Sequence, residues 1–192
     1  MRWTQDDVIS AAFATLEQEG LEGLSLRGVA RALGAHLNSV SWYVKTKASL
    51  IEKMADTIVG SVNVRDLPAD PLQQVRTVIG RYRRAMLSHR DGGRLVAGTY
   101  TSGDRTLRVA EVIVGGLLAA DYTEEEAARL CWALVYFTLG LTQEQQTPPP
   151  AGKEPDTTWE SYPALAKVGK SLLVHDSYDL RFDYGVARLL GL

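Results

Sequence analysis

Residues 24–50 read LSLRGVARALGAHLNSVSWYVKTKASL, and within them two short helical patterns meet at Gly34. The first pattern places apolar residues at helical spacing over residues 26–33, and the Ser25 hydroxyl is positioned to cap its start. Gly34 can adopt a positive φ just past a helix end, so the chain can turn sharply there. The second pattern, about residues 37–44, is too short to be stable alone and must pack on the first. Two short helices joined by a tight turn predict a helix-turn-helix.

The second of these helices carries polar side chains that are unusual for a core helix. Helix interiors disfavour Asn and Ser, because their side chains compete for backbone hydrogen bonds. Asn38 and the neighbouring serines would fit a surface that reads base edges, where Asn can pair bidentately with adenine. A solvated polar face is the alternative interpretation. The local charge favours DNA, because residues 25–53 hold five basic side chains and one acidic one in a chain of formal charge −2.

Residues 4–60 resemble the N-terminal domain of the TetR family of bacterial transcriptional regulators. The family pattern is a first helix ending in Gly, then L-S/T-x-R-x-x-A-x-x-L-G-V, a short recognition helix with an aromatic residue, and K-x-K-x-x-L. In register with that pattern, this chain has Gly20, Leu24-Ser25, Arg27, Ala30, Leu33-Gly34-Ala35 (with Ala in place of Val), Trp42-Tyr43, Lys45, Lys47 and Leu50. The resemblance implies an all-α fold: an N-terminal three-helix DNA-binding domain, followed by a C-terminal helical domain for ligand binding and dimerisation.

A twofold dimer would place two recognition helices in successive major grooves, about 34–36 Å apart. The base-edge candidates lie on the second helix, where the Leu37 side chain could also touch a thymine methyl group. Basic and phenolic side chains around that helix are the phosphate candidates. Trp42 falls on the Trp of the family, and its role stays open between structural and groove-lining. The side chains expected at the DNA surface are Ser25, Leu26, Arg27, Leu37, Asn38, Ser39, Ser41, Trp42, Tyr43, Lys45 and Lys47.

Helical patterns cover most of the remaining chain. Thr4 is placed to cap a first helix that ends at Gly20, and Thr46 to cap a connecting helix over residues 46–62. The stretch 63–70 is the predicted boundary between residues 1–62, the DNA-binding domain, and residues 63–192, the ligand-binding and dimerisation domain.

Several local signals order the C-terminal domain. Pro71 suits the first turn of a helix that we expect Gly92 and Gly93 to end, with a short helix following to about residue 99. A further helix is predicted over residues 105–119, and Thr123 with Glu126 forms a capping box before the next. A Pro-rich loop over residues 147–158, a weaker helix over 162–174 and a last helix from about residue 179 complete the prediction.

Two predicted helices, about residues 124–145 and 179–190, are apolar on more than one side. A helix without a polar face must be covered on two sides. The family resemblance implies that two such helices from each chain form a four-helix bundle in a homodimer. Core helices inside a larger monomer are the alternative.

A second resemblance, over about residues 70–146, is to the tetracycline-repressor branch of the family. It is carried by LSHRDGG at residues 87–93, by Gly98-Thr99 and by FTLG at residues 137–140. It implies a small molecule among the middle helices, although plain core packing is the alternative for each residue. The implied pocket is lined by Val78, Tyr82, Met86, Val96, Tyr100, Val112, Trp132 and Tyr136.

The chain departs from that branch at the position of the metal ligand. The branch places a metal-ligating His, and an Arg one turn on, where this chain has Val96 and Tyr100. Recognition of a magnesium-chelated tetracycline is therefore not expected. We predict instead a flat, largely apolar or aromatic effector that binds without metal.

Other classes of protein are disfavoured by composition and motif. No run approaches the ~18–20 apolar residues of a membrane span, and the N-terminus lacks the apolar segment of a signal peptide. With one cysteine, Cys131, in an apolar run, a cytoplasmic protein with a buried thiol is expected. The three histidines lie far apart, and the string His89-Arg90-Asp91 has no Gly-rich phosphate loop or DFG to accompany it. We therefore expect no catalysis, no cofactor and no metal.

The sequence thus predicts a ligand-responsive transcriptional regulator. The leading hypothesis is a repressor that binds palindromic double-stranded operator DNA as a homodimer and is released by its effector. An activator of the same fold and a constitutive DNA-binding module are the alternatives.

Overall fold

The structure is a computed structural model that describes residues 3–99, 103–147, 161–173 and 175–192. All regular secondary structure in these ranges is helical, which confirms the predicted all-α class. By their internal contacts the residues group into two units, Met1–Gln146 and Thr147–Leu192.

Four helices form the first part of the larger unit. They are α1 Gln5–Gly23, α2 Leu26–Leu33, α3 Leu37–Tyr43 and α4 Lys47–Gly60. The three predicted caps are confirmed: the hydroxyls of Thr4, Ser25 and Thr46 each accept from a backbone N–H of the first turn. Gly34 ends α2 in the left-handed conformation, at φ 65°, as the turn requires.

Helix α1 differs from the prediction at its C-terminal end. Gly20 breaks the helix at φ 71° and ψ 176°, but one further turn follows through Gly23. The N–H of Leu24 closes this turn on the carbonyl of Gly20 at 3.1 Å. The predicted end of α1 is therefore the position of a break inside it.

Helix α4 joins the two halves of the larger unit. It packs on α1 and also on the three helices that follow it, so its apolar side chains contribute to two groups of core residues. Leu50, Met54 and Ile58 are all buried. Because α4 belongs to both halves, the predicted division after residue 62 is not visible as a gap in packing and stays a prediction.

The described residues of the second part of the larger unit also form four helices. They are α5 Pro71–Leu87, α6 Gly92–Ala97, α7 Asp104–Ala119 and α8 Glu124–Gln146. Pro71 begins α5 as predicted. The capping box before α8 is confirmed, because the Thr123 N–H donates to Glu126 at 2.9 Å and the Glu126 N–H donates to the Thr123 hydroxyl at 3.3 Å. The Thr123 hydroxyl also donates to Glu126 Oε2 at 2.8 Å, and the hydrogen bonds that the carboxylate accepts from the Thr123 N–H and hydroxyl lower the pKa of Glu126.

Gly92 and Gly93 are the first residues of α6, and the prediction that they end α5 is wrong. Helix α5 already ends at Leu87, and a turn through Ser88 and Asp91 connects the two helices. A methyl group on Gly92 would overlap the backbone carbonyl of Met86. The glycine is thus required by the close approach of α6 to the end of α5.

The smaller unit, described by itself, contains three helices within its described residues. They are α9 Pro163–Val168, α10 Lys170–Leu173 and α11 Tyr178–Leu190. The weak helix predicted over residues 162–174 is therefore two short helices separated by Gly169. The predicted Pro-rich loop lies outside the described residues apart from Thr147. No described helix is both long enough and apolar enough to cross a bilayer.

The packing of α6 against α5 can be tested with a pair of glycine substitutions. Gly92→Ala should lower the free energy of unfolding by about 1–3 kcal/mol, because the added methyl group meets backbone that cannot move aside. Gly115→Ala, within α7, meets nothing within 4 Å and should raise it by about 0.5–1 kcal/mol. Urea unfolding of both variants at one protein concentration measures the difference. Equal stability of Gly92→Ala and the wild type would contradict the close approach.

Candidate nucleic-acid interface and effector site

Helix α3 packs against the core on one side and is exposed to solvent on the other. Val40 and Val44 are 0% and 1% exposed and anchor the helix and its end to the core. On the outer side Trp42 is 82% exposed and Leu37 36% exposed, and Asn38 is also exposed. Ser39 and Ser41 are half-buried at the edges of this outer surface. The helix therefore presents an amide and two large side chains to solvent, with hydroxyls beside them.

Tyr43 and Trp42, which are adjacent, have different surroundings. The Tyr43 hydroxyl donates to the backbone carbonyl of Trp3, so this half-buried phenol ties α3 to the residues before α1. Trp42 is almost fully exposed, and this exposure favours the groove-lining role over the structural one. The expected phosphate contact of Tyr43 stays a prediction, and its hydrogen bond to Trp3 is one that sequence patterns did not indicate.

Basic side chains border this surface. Arg27, in the first turn of α2, is exposed, as are Lys45 and Lys47 on either side of the Thr46 cap. The Lys47 ammonium donates to the carbonyls of Leu21 at 3.0 Å and Glu22 at 3.3 Å, which belong to the last turn of α1. This intramolecular role of Lys47 was not predicted. Of the remaining expected residues, Ser25 caps α2, and Leu26 is half-buried.

The residues expected to line the effector pocket differ in burial. Val78, Tyr82 and Met86 on α5 and Val96 on α6 are all buried, and burial raises the pKa of the Tyr82 hydroxyl. Val112 on α7 is half-buried. The structure thus places five of the eight within or beside the interior of α5, α6 and α7.

The other three expected pocket residues are placed differently. Trp132 and Tyr136 lie on α8 with 51% and 63% of their surface exposed. Their rings stack on each other with centroids 5.3 Å apart. Tyr100 lies outside the described residues. The two α8 aromatics therefore form a surface pair and do not join the buried group.

The sequence of α5 indicates a basic face that carries Arg76, Arg81, Arg83 and Arg84, but one of these cations is buried. Arg83 is 6% exposed, and its Nη2 donates to Gln145 Oε1 on α8 at 2.5 Å. Arg81, two residues earlier, donates from Nη1 to the backbone carbonyls of Asn63 and Arg65 at 2.7 Å each. These arginines hold neighbouring elements together. Among the described residues no three His, Cys, Asp or Glu side chains are grouped so as to hold a metal ion.

A helix-turn-helix with a solvent-facing second helix, followed by a larger helical half, defines a DNA-binding transcriptional regulator. Residues 66–191 match the family model described as the tetracyclin repressor-like C-terminal domain. The chain belongs to the TetR family of transcriptional regulators.

Individual relatives agree with this assignment over nearly the whole chain. The chain is 30% identical to the tetracycline repressor protein class E from Escherichia coli, over 98% of this chain and 90% of that protein. A possible TetR family transcriptional regulator from Streptomyces coelicolor A3(2) has 29% identity and a TM-score of 0.86, covering 98% of this chain and 97% of that one. The S. coelicolor protein ActR in complex with actinorhodin has 25% identity and a TM-score of 0.86, covering 100% and 96%.

The contrast between the two faces of α3 can be tested by its effect on folding. Trp42→Ala should change the free energy of unfolding by less than about 0.5 kcal/mol, because the ring is exposed. Val40→Ala removes two buried methyl groups from the opposite face and should cost roughly 1–3 kcal/mol. Thermal or urea unfolding of both variants measures these effects. A loss for Trp42→Ala as large as that for Val40→Ala would mean that the indole is part of the fold.

Proposed function

We propose that this protein is a repressor that binds palindromic operator DNA as a homodimer and is released by a small, largely apolar or aromatic effector. The observation that carries the proposal is the outer surface of α3, where Asn38 and Trp42 face solvent between flanking cations. An exposed amide near exposed lysines suits a helix that enters a major groove, because the amide can read adenine while the ammonium groups meet phosphate. Because the proposed partner is operator DNA, we place the protein in the bacterial cytoplasm.

The proposed DNA contacts are of two kinds, those to base edges and those to the phosphate backbone. Leu37, Asn38, Ser39 and Ser41 would contact base edges, and Trp42 the groove wall. Arg27, Tyr43 and Lys45 would contact phosphates, with Ser25 and Leu26 beside the groove. Lys47 can also contact a phosphate while it keeps its hydrogen bonds to α1. Its ammonium group has three donors, and the carbonyls of Leu21 and Glu22 use two of them.

A dimer is supported by the exposed apolar side chains of α8 and α11. On α8 the stacked pair Trp132 and Tyr136 is exposed, and on α11, described by itself, Leu180 and Tyr184 are 62% and 68% exposed. A second copy that covered these helices would bury the surface that solvent contacts in one chain. A specific interface typically needs about 800 Å² from each partner. We therefore propose that the dimer interface is formed by the helices at about residues 124–145 and 179–190. Trp132 and Tyr136 are assigned to this interface.

The DNA contacts predict a modest dependence of affinity on salt. A dimer with a few phosphate contacts per subunit should show a slope of log K against log salt of about −4 to −8, at ~0.9 per phosphate neutralised. Lys47→Ala should weaken binding to all sequences alike and reduce the slope by about one per subunit. Asn38→Ala should cost about 1–3 kcal/mol and relax the preference at one base pair.

These effects can be measured on an operator obtained by selection from random double-stranded DNA. Titrations at several salt concentrations give the slope, and a second selection with Asn38→Ala gives its base preference. Arg108→Ala is the matched control, because this exposed cation on α7 pairs with Asp104 and should leave both quantities unchanged. A slope near zero, or an unaltered preference for Asn38→Ala, would contradict the proposed contacts.

The effector is proposed to enter the apolar interior of α5, α6 and α7. Val78, Tyr82, Met86 and Val96 provide apolar and aromatic surface there, and such surfaces between helices are ordinary ligand sites. Val96 cannot bind a metal. ActR, at 25% identity, has been solved in complex with actinorhodin, which supports an organic effector for this chain. Regulation as an activator, or DNA binding without any effector, would need the same reading surface. Release of DNA by an effector separates the constitutive module from the repressor, whereas activation or repression depends on the position of the operator.

Binding of an effector should stabilise the protein without magnesium. A compound at 100 times its dissociation constant should stabilise the fold by about 2.7 kcal/mol. Thermal shift with a panel of planar aromatic compounds that includes actinorhodin and minocycline, each with magnesium or with a chelator, measures this. A true effector must also release the selected operator. Stabilisation only in the presence of magnesium would refute the metal-free site, and failure of every stabilising compound to release DNA would favour the constitutive module.

A further inference from the structure

The break in α1 leaves backbone groups without partners inside the helix. At Gly20 the left-handed φ interrupts the ladder of hydrogen bonds, so the carbonyls before the break and the amides after it need other partners. The turn that follows, Leu21–Gly23, is a single turn, which is not stable by itself in water.

Two consecutive residues of the α5–α6 turn, Arg90 and Asp91, supply these partners although they lie 70 to 73 residues further along the chain. The Arg90 Nη1 donates to the carbonyls of Glu17 and Gln18, at 3.0 Å each, and so caps the segment before the break. The Leu21 N–H donates to Asp91 Oδ2 at 2.8 Å, so this carboxylate caps the turn after the break. The carbonyls before the break are thus capped by a guanidinium group, and the amide after it is capped by a carboxylate.

The contact is close and has further support around it. A Cβ on Gly20 would lie 3.1 Å from Arg90 and 3.2 Å from the Asp91 carboxylate. The His89 ring stacks on Phe13 of α1 with centroids 4.4 Å apart. Asp91 itself adopts φ 55°, a conformation that is uncommon for a residue with a side chain.

The last turn of α1, Leu21–Gly23, contacts residues that we assign to DNA binding. Its carbonyls, of Leu21 and Glu22, accept the two hydrogen bonds from Lys47 at the start of α4. Its last residue leads through Leu24 into Ser25, the cap of α2. A continuous series of contacts therefore runs from the α5–α6 turn to both ends of the helix-turn-helix.

We propose that Arg90 and Asp91 are positioning residues for DNA binding. They hold the last turn of α1, and this turn fixes Lys47 and the start of α2 in the geometry that the recognition helix needs. Prior ordering of a binding surface raises affinity because less conformational freedom is lost on binding. The proposal rests on the proposed DNA-binding function. Since Asp91 directly precedes α6, a movement of α6 would reach the reading surface through α1 as well as through α4.

The test uses the full chain and the operator selected with the wild type. Asp91→Gly removes the carboxylate and keeps a residue suited to positive φ, and Arg90→Gln removes the guanidinium from an exposed position. Each should bind the operator roughly tenfold more weakly, which equals about 1.4 kcal/mol, with the preferred sequence unchanged. Asp91→Asn retains an acceptor for the Leu21 N–H and tolerates positive φ, so it should stay within about threefold of the wild type.

A second readout separates positioning from a merely structural role. Affinity is measured well below the melting temperature of each variant and corrected for the folded fraction, and hydrogen exchange is followed at the Leu21 amide. We expect faster exchange at Leu21 in Asp91→Gly, with Arg108→Gln as the unchanged control. Wild-type affinity for both Asp91→Gly and Arg90→Gln would overturn the proposal even if their melting temperatures fell. If Asp91→Gly does not fold, Arg90→Gln decides alone. A wild type that selects no sequence at all would instead overturn the DNA-binding function.

Discussion

A seven-residue helix cannot hold its shape alone, and the architecture of this protein supports α3 against that instability. Val40 and Val44 pack the inner side of the helix and its C-terminal end against the core, whereas the outer side faces solvent. The remaining support comes from its ends: Gly34 sets the entry turn, and the hydrogen bond from Tyr43 to Trp3 fixes the exit. A helix of this length thus requires a rigid frame, here provided by α1 and α2.

The frame is shared with the rest of the larger unit through two separate connections. Helix α4 packs on helices of both halves, so its core side chains cannot shift without affecting α5, α6 or α7. Helix α1 is tied to the α5–α6 turn by hydrogen bonds to backbone groups, which fix position more narrowly than the exposed pair Arg94 and Glu22 beside them. A change inside the C-terminal half therefore has two physical connections to the recognition helix, one apolar and one polar.

Local features of this fold could be predicted from sequence, and long-range ones could not. The caps at Thr4, Ser25, Thr46 and Thr123 depend on residues three positions apart, and all formed as their spacing indicated. The start of α6 at Gly92 was missed because it depends on the approach of Met86, and a glycine pair read alone marks the end of a helix as well as its beginning. The basic face of α5 gave no sign that Arg83 is buried against Gln145. In the site, the outward side of α3 followed from helical spacing, whereas the carbonyl partners of Lys47 depend on a break that spacing alone cannot reveal.

The conformation of Asp91 shows why the polar connection depends on its side chain. Glycine would adopt φ 55° at little cost, whereas a residue with a Cβ is disfavoured there by roughly 1 kcal/mol. The carboxylate offsets this cost by accepting a charge-assisted hydrogen bond from Leu21, of the kind that contributes about 1.5–3 kcal/mol. The hydrogen bond outweighs this backbone cost, and the Arg90 hydrogen bonds and the stacking of His89 on Phe13 add to the stability of the contact. The polar connection thus depends on hydrogen bonds to Asp91 and Arg90, whereas the apolar connection through α4 rests on several buried side chains such as Leu50.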